Sequence, residues 1–289
     1  MTATSAVQGV LSRHFDEHQR FSGRRSLPID ARVAQLYGDI DELGLNAKLE
    51  SVTLSDDNDD DNHDEVVHGV NAVIAQTLIH FLECSLATEV SSDSKESVEA
   101  IQELVGAVAA RRAEVARSLL NDRLVDLTTV LLERVRSSAC RCIGWTVKYL
   151  FENDQMKKED LEALLDTASQ SLVPRFTDKA QSVRQAAIEA SRFFFCKFGQ
   201  AQEEMDDPDI RQSLQWSLQH DPSVTNRVAA LESLPVTLQT MDIVLTRVRD
   251  VKSKVRVAAV KALQDNVADL EKWEAEQCAE LIESGWTDR

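Results

Sequence analysis

Glycine and proline are scarce in this chain, 9 and 5 among 289 residues. Few breaks therefore interrupt segments rich in Ala, Leu, Glu, Gln and Arg, all good helix formers. Aromatic residues make up only 5%, which suits a core built from Leu, Val and Ala. No run of about eighteen apolar residues exists to span a membrane, and charge breaks the N-terminal apolar stretch too early for a signal peptide. These features read as a soluble intracellular protein. The cysteines, Cys84, Cys140, Cys142, Cys196 and Cys278, are odd in number and scattered over apolar helical contexts. That excludes a disulfide framework and implies reduced, mostly buried thiols. The C-x-C of Cys140 and Cys142 has no nearby Cys or His to complete a zinc site. His14 and His18 stand four apart, but no glutamate follows the first, as a zinc-protease helix needs. Glycine-rich phosphate loops, GxSxG and dinucleotide fingerprints are all missing. No catalytic residue, metal ligand or cofactor is expected, and the chain does not read as an enzyme.

What is present is repetition. Asp178, Asp221 and Asp250 are each followed six residues later by an arginine, Arg184, Arg227 and Arg256. Paired alanines come next, Ala186-Ala187, Ala229-Ala230 and Ala258-Ala259, then Ile188, Leu231 or Val260. The pattern describes helical hairpins with the aspartate in the turn between helix A and helix B. A carboxylate there can cap free N–H groups at the start of helix B. The alanines let helix B approach its neighbours, and the aliphatic residue after them packs inward. The arginine, two turns further on, can reach the aspartate of an adjacent repeat, giving a structural ladder that fixes stacking register. The fold class is all-α, a HEAT-repeat α-solenoid of stacked antiparallel helix pairs with no sheet.

Helices A are expected at 161–176, 210–218 and 238–249, and helices B at 183–198, 224–234 and 255–267. Before them, a degenerate hairpin breaks near Arg136, and its helix B holds Arg141, Trp145 and Leu150. The four tryptophans, Trp145, Trp216, Trp273 and Trp286, read as core. Residues 1–120 form a separate N-terminal helical region. Helices are expected over 5–19, from Ala31 and over 66–86, a turn at 91–97, and a disordered acidic loop at about 55–65. As a calcium loop that acidic stretch fails, because Asn62 and His68 stand where a glycine and a bidentate glutamate belong. Residues 121–289 form the HEAT repeats. A last helix A begins near Leu270, and the chain stops with Asp288 at the turn position and no helix B, which reads as a truncated product or gene model. Iron-holding hydroxylases of this architecture use His-Glu dipeptides, and none of the six histidines precedes Glu.

Net charge is −17, yet the acidity is uneven. Residues 1–110 carry 20 acidic and 7 basic side chains, and residues 111–289 carry 29 and 25. The repeat region can therefore meet a polyanion through one face.

The stretches SLVPRFTDKAQSVRQAAIEASRFF, LQHDPSVTNRVAALESLPVTLQTMDIVLTRVRDVKSKVRVAAVKAL and ELIESGWTDR resemble the N-terminal HEAT region of condensin complex subunit 3, the CAP-G family. LVPRF-TDK with Val183-Arg184, the asparagine before Arg227, Leu234-Pro235 and the short repeat ending at Asp250 carry the likeness. ERVRSSACRCIGW resembles the preceding family repeat. The resemblance covers about 120–289. It implies a non-catalytic subunit that binds the kleisin subunit, works beside the SMC ATPases and holds duplex DNA without sequence preference, in the nucleus and on chromosomes, with a cytoplasmic pool allowed. It implies no membrane contact. Full members of the family are much longer.

Candidate phosphate contacts are Arg134, Arg136, Arg141 and Lys148; Lys157 and Lys158; Arg175 and Lys179; and Arg247, Arg249, Lys252 and Lys254. Several fall at A-to-B turns or adjacent helix ends, where stacked repeats would line them along one edge. The alternative function is a protein-only scaffold or adaptor that binds a peptide along its concave face.

Overall fold

The structure, a computed structural model, describes residues 9–13, 31–39, 71–83, 92–153, 156–195, 197–198, 203–204, 207–237 and 239–265. The acidic loop, His14 and His18, Cys84, Cys196 and Cys278, Trp273 and Trp286, and the segment from Leu270 to Asp288 lie outside the described residues. The chain divides into two compact units. The first holds Met1–Val130 with Trp145–Ala168, and the second holds Leu131–Gly144 with Ser169–Arg289.

In the first unit, helices α1 (9–13), α2 (31–39) and α3 (71–83) are followed by α4 (Ser92–Ala109) and α5 (Ala113–Ser118). A π-helical turn, Leu119–Leu124, then leads into α6 (Val125–Leu127). Leu11, Leu36, Ile74, Leu78, Leu82, Leu104, Leu119, Leu120 and Leu124 are buried. Each such aliphatic side chain contributes about 1.5–3 kcal/mol on leaving water. Two expectations need correction here. The serine- and acid-rich stretch at 91–97 is not a turn, because α4 begins at Ser92; that composition also suits the first turn of a helix, where acidic groups face the positive end of the dipole. The break expected near Arg136 falls earlier, at 128–132, and α7 runs unbroken over Glu133–Phe151.

Helix α7 belongs to both units. Its buried Cys140, Ile143, Val147 and Leu150 recur every three or four residues, the period of one helix face. Helix α8 (Lys158–Leu172) begins in the first unit and ends in the second, in the 3-10 turn Val173–Thr177, then α9 (Gln181–Ser191) ends in another, Arg192–Phe195. Residues 197–198, expected at the end of that helix, instead form one short antiparallel pair: β1 (Lys197–Phe198) faces β2 (Glu203–Glu204). Among the described residues it is the one departure from an all-helical fold. Helices α10 (Pro208–His220), α11 (Val224–Ser233), α12 (Met241–Arg247) and α13 (Ser253–Asp265) complete the described chain.

Helix α10 starts where it does because Asp207 caps it, accepting from the N–H groups of Asp209 and Ile210 at 2.9 and 3.0 Å, with Pro208 in the first helical position. Helix α11 packs against α9 and α13 as well as against its own partner α10. Ala187, Ala230 and Ala259 are buried at these contacts. Ile188 and Leu231 are buried too, but Val260 is only half-buried and its neighbour Val257 is exposed, so the inward slot is not filled alike in all three repeats. Where α7 passes α9, Gly144 makes the contact: a Cβ there would lie 2.8 Å from both Cα and Cβ of Ala190.

Candidate functional site

The turns between paired helices in the second unit share one polar arrangement. Arg184 donates from Nε and Nη2 to the two carboxylate oxygens of Asp221, at 2.7 and 3.2 Å. Arg227 does the same to Asp250, at 3.1 and 3.1 Å. The third nitrogen, Nη1, turns back to the chain's own turn: Arg184 to the carbonyl of Asp178 at 2.9 Å, Arg227 to that of Asp221 at 2.9 Å, and Arg256 to that of Asp250 at 3.0 Å. Each arginine thus braces its own turn, and Arg184 and Arg227 each grip the aspartate of the hairpin that follows.

A further rung precedes these, and its spacing hides it. Arg136 donates from Nε and Nη2 to Asp178 at 2.9 and 2.8 Å and from Nη1 to the carbonyl of Leu131 at 2.8 Å. Six residues before Arg136 stands Val130, not an aspartate, so this hairpin has the arginine of the pattern without its acid. Ser138-Ala139-Cys140 fills the positions of Ala186-Ala187-Ile188. Cys140 is fully buried, and burial pushes its thiol up to about 12, so it stays protonated. Both it and Cys142 are buried and outside any disulfide.

Each aspartate also accepts from the N–H two residues on, Ala180, Ser223 or Lys252, at 2.9, 2.8 and 2.9 Å. The carboxylate therefore fixes the residue that leads into helix B, an Asx-type turn, in place of capping the helix directly. A third partner completes the shell. For Asp178 it is Arg175, at 3.3 Å, and for Asp250 it is Arg247, at 3.5 Å. The corresponding residue before Asp221 is Leu218. Here Asn226, buried in a position that Val183 and Val255 occupy in the flanking repeats, donates from Nδ2 to Asp221 at 3.0 Å. One donor has been exchanged for another from the opposite side of the turn.

Burial alone would raise all three carboxyls. The bonds from Arg136 and the Ala180 N–H outweigh it at Asp178, those from Arg184, Asn226 and the Ser223 N–H at Asp221, and those from the Lys252 N–H and Arg227 at Asp250. All three end below the usual aspartate range. The same bonds hold the guanidinium groups of Arg136 and Arg184 above theirs.

The candidate phosphate contacts divide accordingly. Arg136, Arg175 and Arg247 are half-buried in the ladder, so they are committed to carboxylates. Lys148 sits over the rings of Trp145 and Tyr149, at 5.2 and 4.4 Å, and 3.8 Å from Glu103. Arg141 is half-buried. Arg134, Lys179, Arg249, Lys252 and Lys254 are exposed in the second unit, and Lys157 and Lys158 are exposed in the first. Trp216, read as core, is instead 43% exposed, its ring 5.6 Å from that of His220; Trp145 is half-buried.

No constellation for catalysis appears among the described residues. A cavity of about 170 Å³ in the first unit is lined by Val33, Ala107, Arg111, Tyr149, Glu152 and Asn153. Among the described residues, no group of three or more His, Cys, Asp or Glu could hold a metal ion, and no helix is long and apolar enough to cross a membrane.

No protein-family model matches the chain. No curated protein matches it by sequence. Among solved structures, it is similar to a chain in the crystal structure of the S. pombe condensin Cnd3-Cnd2 subcomplex, with a TM-score of 0.61 and 17% identity over 98% of this chain and 30% of that one. The chain thus spans about a third of the length of that neighbour. Weaker likenesses, each with a TM-score of 0.40, are to designed armadillo repeat proteins. One is 18% identical over 72% of this chain and 88% of that one, and the other, solved with the peptide (KR)4, is 15% identical over 79% and 93%. The fold is that of a HEAT-like helical-repeat solenoid, all-α, built of stacked antiparallel helix pairs.

Proposed function

We propose that this chain is a non-catalytic HEAT subunit of condensin type, holding a kleisin-type chain and, through phosphate contacts, duplex DNA. The observation that carries the reading is the fold likeness over 98% of the chain to a condensin subcomplex chain, taken with the sequence resemblance over about 120–289. Hydrolysis would be left to partner SMC ATPases, and the place of action would be the nucleus and chromosomes. The exposed cations beside the A-to-B turns, Lys179, Arg249, Lys252 and Lys254, are the DNA contacts in the second unit. They stand at turns and helix ends and offer no helix for base reading, so binding is sequence-independent.

Fluorescence anisotropy of a labelled duplex over a salt series, with a kleisin segment present, tests this. Replacing Arg249, Lys252 and Lys254 together by Ala should weaken binding at every sequence. It should also flatten the salt dependence by roughly 0.9 log unit for each phosphate no longer neutralised. Failure of the unaltered chain to bind at low salt would leave the protein-only scaffold as the reading.

A further inference from the structure

The ladder does more than hold turns together; it sets what stands between them. Arg136 braces the turn of Leu131, Arg184 that of Asp178, and Arg227 that of Asp221, and each also grips the aspartate of the next turn. Successive tips therefore follow one another along one edge of the second unit: Leu131, Lys179, Pro222 and Val251.

These tips are open. Leu131 is 98% exposed, Val251 88% and Leu132 62%, and Lys179, Lys252 and Lys254 are exposed beside them. A single exposed aliphatic residue calls for no explanation. Here several share an edge with cations, while the aspartates of the same turns are buried against arginine. The edge consequently shows solvent a mixture of apolar and positive groups.

We propose that this edge docks a polypeptide segment of a partner protein that carries both carboxylates and aliphatic side chains. The inference rests on the scaffold part of the proposed function and adds where the partner's chain sits and what chemistry it brings. Carboxylates complement Lys179, Lys252 and Lys254, and aliphatic side chains cover Leu131, Leu132 and Val251. A phosphate backbone would use the cations and leave the aliphatics wet. A lipid surface fits less well, since Lys179 and Pro222 separate the apolar tips and no aromatic residue stands at a tip. Bidentate rungs fix the tips before binding, so little ordering is needed on association.

The test is selection of a random peptide library displayed on phage against the full chain, followed by anisotropy of the enriched peptides. Enriched sequences should be acidic with aliphatic residues. Their affinity should fall by roughly tenfold or more in a Leu131→Ser, Leu132→Ser, Val251→Ser variant and in a Lys179→Glu, Lys252→Glu variant. Duplex binding should fall only in the second variant, and the melting temperature in neither. Enriched peptides without acids, undiminished binding to either variant, or no enrichment overturns the inference. So does duplex binding, or binding to vesicles of phosphatidylserine and phosphatidylcholine, that disappears with the serine substitutions. If peptides fail while the unaltered chain still binds duplex, only this inference falls; if duplex binding fails while peptides succeed, only the DNA reading does.

Discussion

The two units are fastened in different ways. In the second, one joint recurs: a bidentate arginine on an aspartate, with side chains 12–13% exposed on the arginine and 0–6% on the acid. In the first, the polar contacts between distant residues are of several kinds. Tyr37 donates to the carbonyl of Val108 at 2.6 Å, Asn153 to that of Ala110 at 2.9 Å, and Tyr149 to Glu103 at 2.9 Å. Arg112 donates to Asn71, which donates to Glu114. An arginine–aspartate pair there, Arg117 with Asp160, lies on the surface with side chains 45% and 34% exposed. The same two residue types therefore do different work. A shielded pair sets register, whereas an exposed one is screened and loses in side-chain entropy much of what it gains. Apolar burial carries the first unit, and its polar contacts are fitted one at a time.

The sharpest way to break this comparison is to remove one arginine from each unit. Arg184→Ala leaves a fully buried carboxylate without its cation and should cost about 3–5 kcal/mol in urea unfolding. Arg117→Ala should cost less than about 1 kcal/mol, and equal losses would mean that the ladder is ornamental. Close helix contact, by contrast, should be common ground. Gly144→Ala drives a methyl group into Ala190, and Gly106→Ala drives one to 2.7 Å from the backbone nitrogen of Thr146. Each should destabilise its unit by about 1–3 kcal/mol, read as a drop in melting temperature.

A finer probe lies within the ladder. Asn226→Val restores the residue type of the flanking repeats but strips Asp221 of a donor that Leu218 cannot replace, for a net loss of about 1 kcal/mol. No loss would show that Arg184 and the Ser223 N–H suffice. The smallest effect at neutral pH is that of acidity. Because the folded carboxyls of Asp178, Asp221 and Asp250 lie below the unfolded value near 3.9, their contribution is complete above about pH 4 and is lost as pH falls through the lower folded values. Urea midpoints at pH 7, 4 and 3 should therefore decline at the acid end, and Asp221→Asn should flatten that decline.

Repetition also governed how much could be read from the residues alone. The fold class and the A-to-B turns were legible because Asp, Arg and paired Ala recur at constant offsets. The first rung was not, since Val130 removes the acid that marks a turn, and Arg136 consequently read only as a candidate phosphate contact. The pairing of Arg175 and Arg247 was hidden for another reason: each lies three residues before an aspartate, at the tight end of helix A, where the side chain folds back onto the carboxylate. The exchange of an arginine for Asn226 shows only when repeats are laid side by side in space. In the first unit nothing recurs, so periodicity found helices there but not the start of α4 at Ser92.

The rungs join residues 42, 37 and 23 positions apart in the chain, yet the bonds are alike. The hairpins of Asp178 and Asp221 each offer a socket on one side and a plug on the other, whatever the length of helix between. A stretch of gene encoding such a hairpin can thus be copied, trimmed or exchanged with both couplings intact. The hairpin of Arg136 has the plug alone, with Val130 where a socket would be. Growth by duplication through this coupling is open on one side of that hairpin and closed on the other.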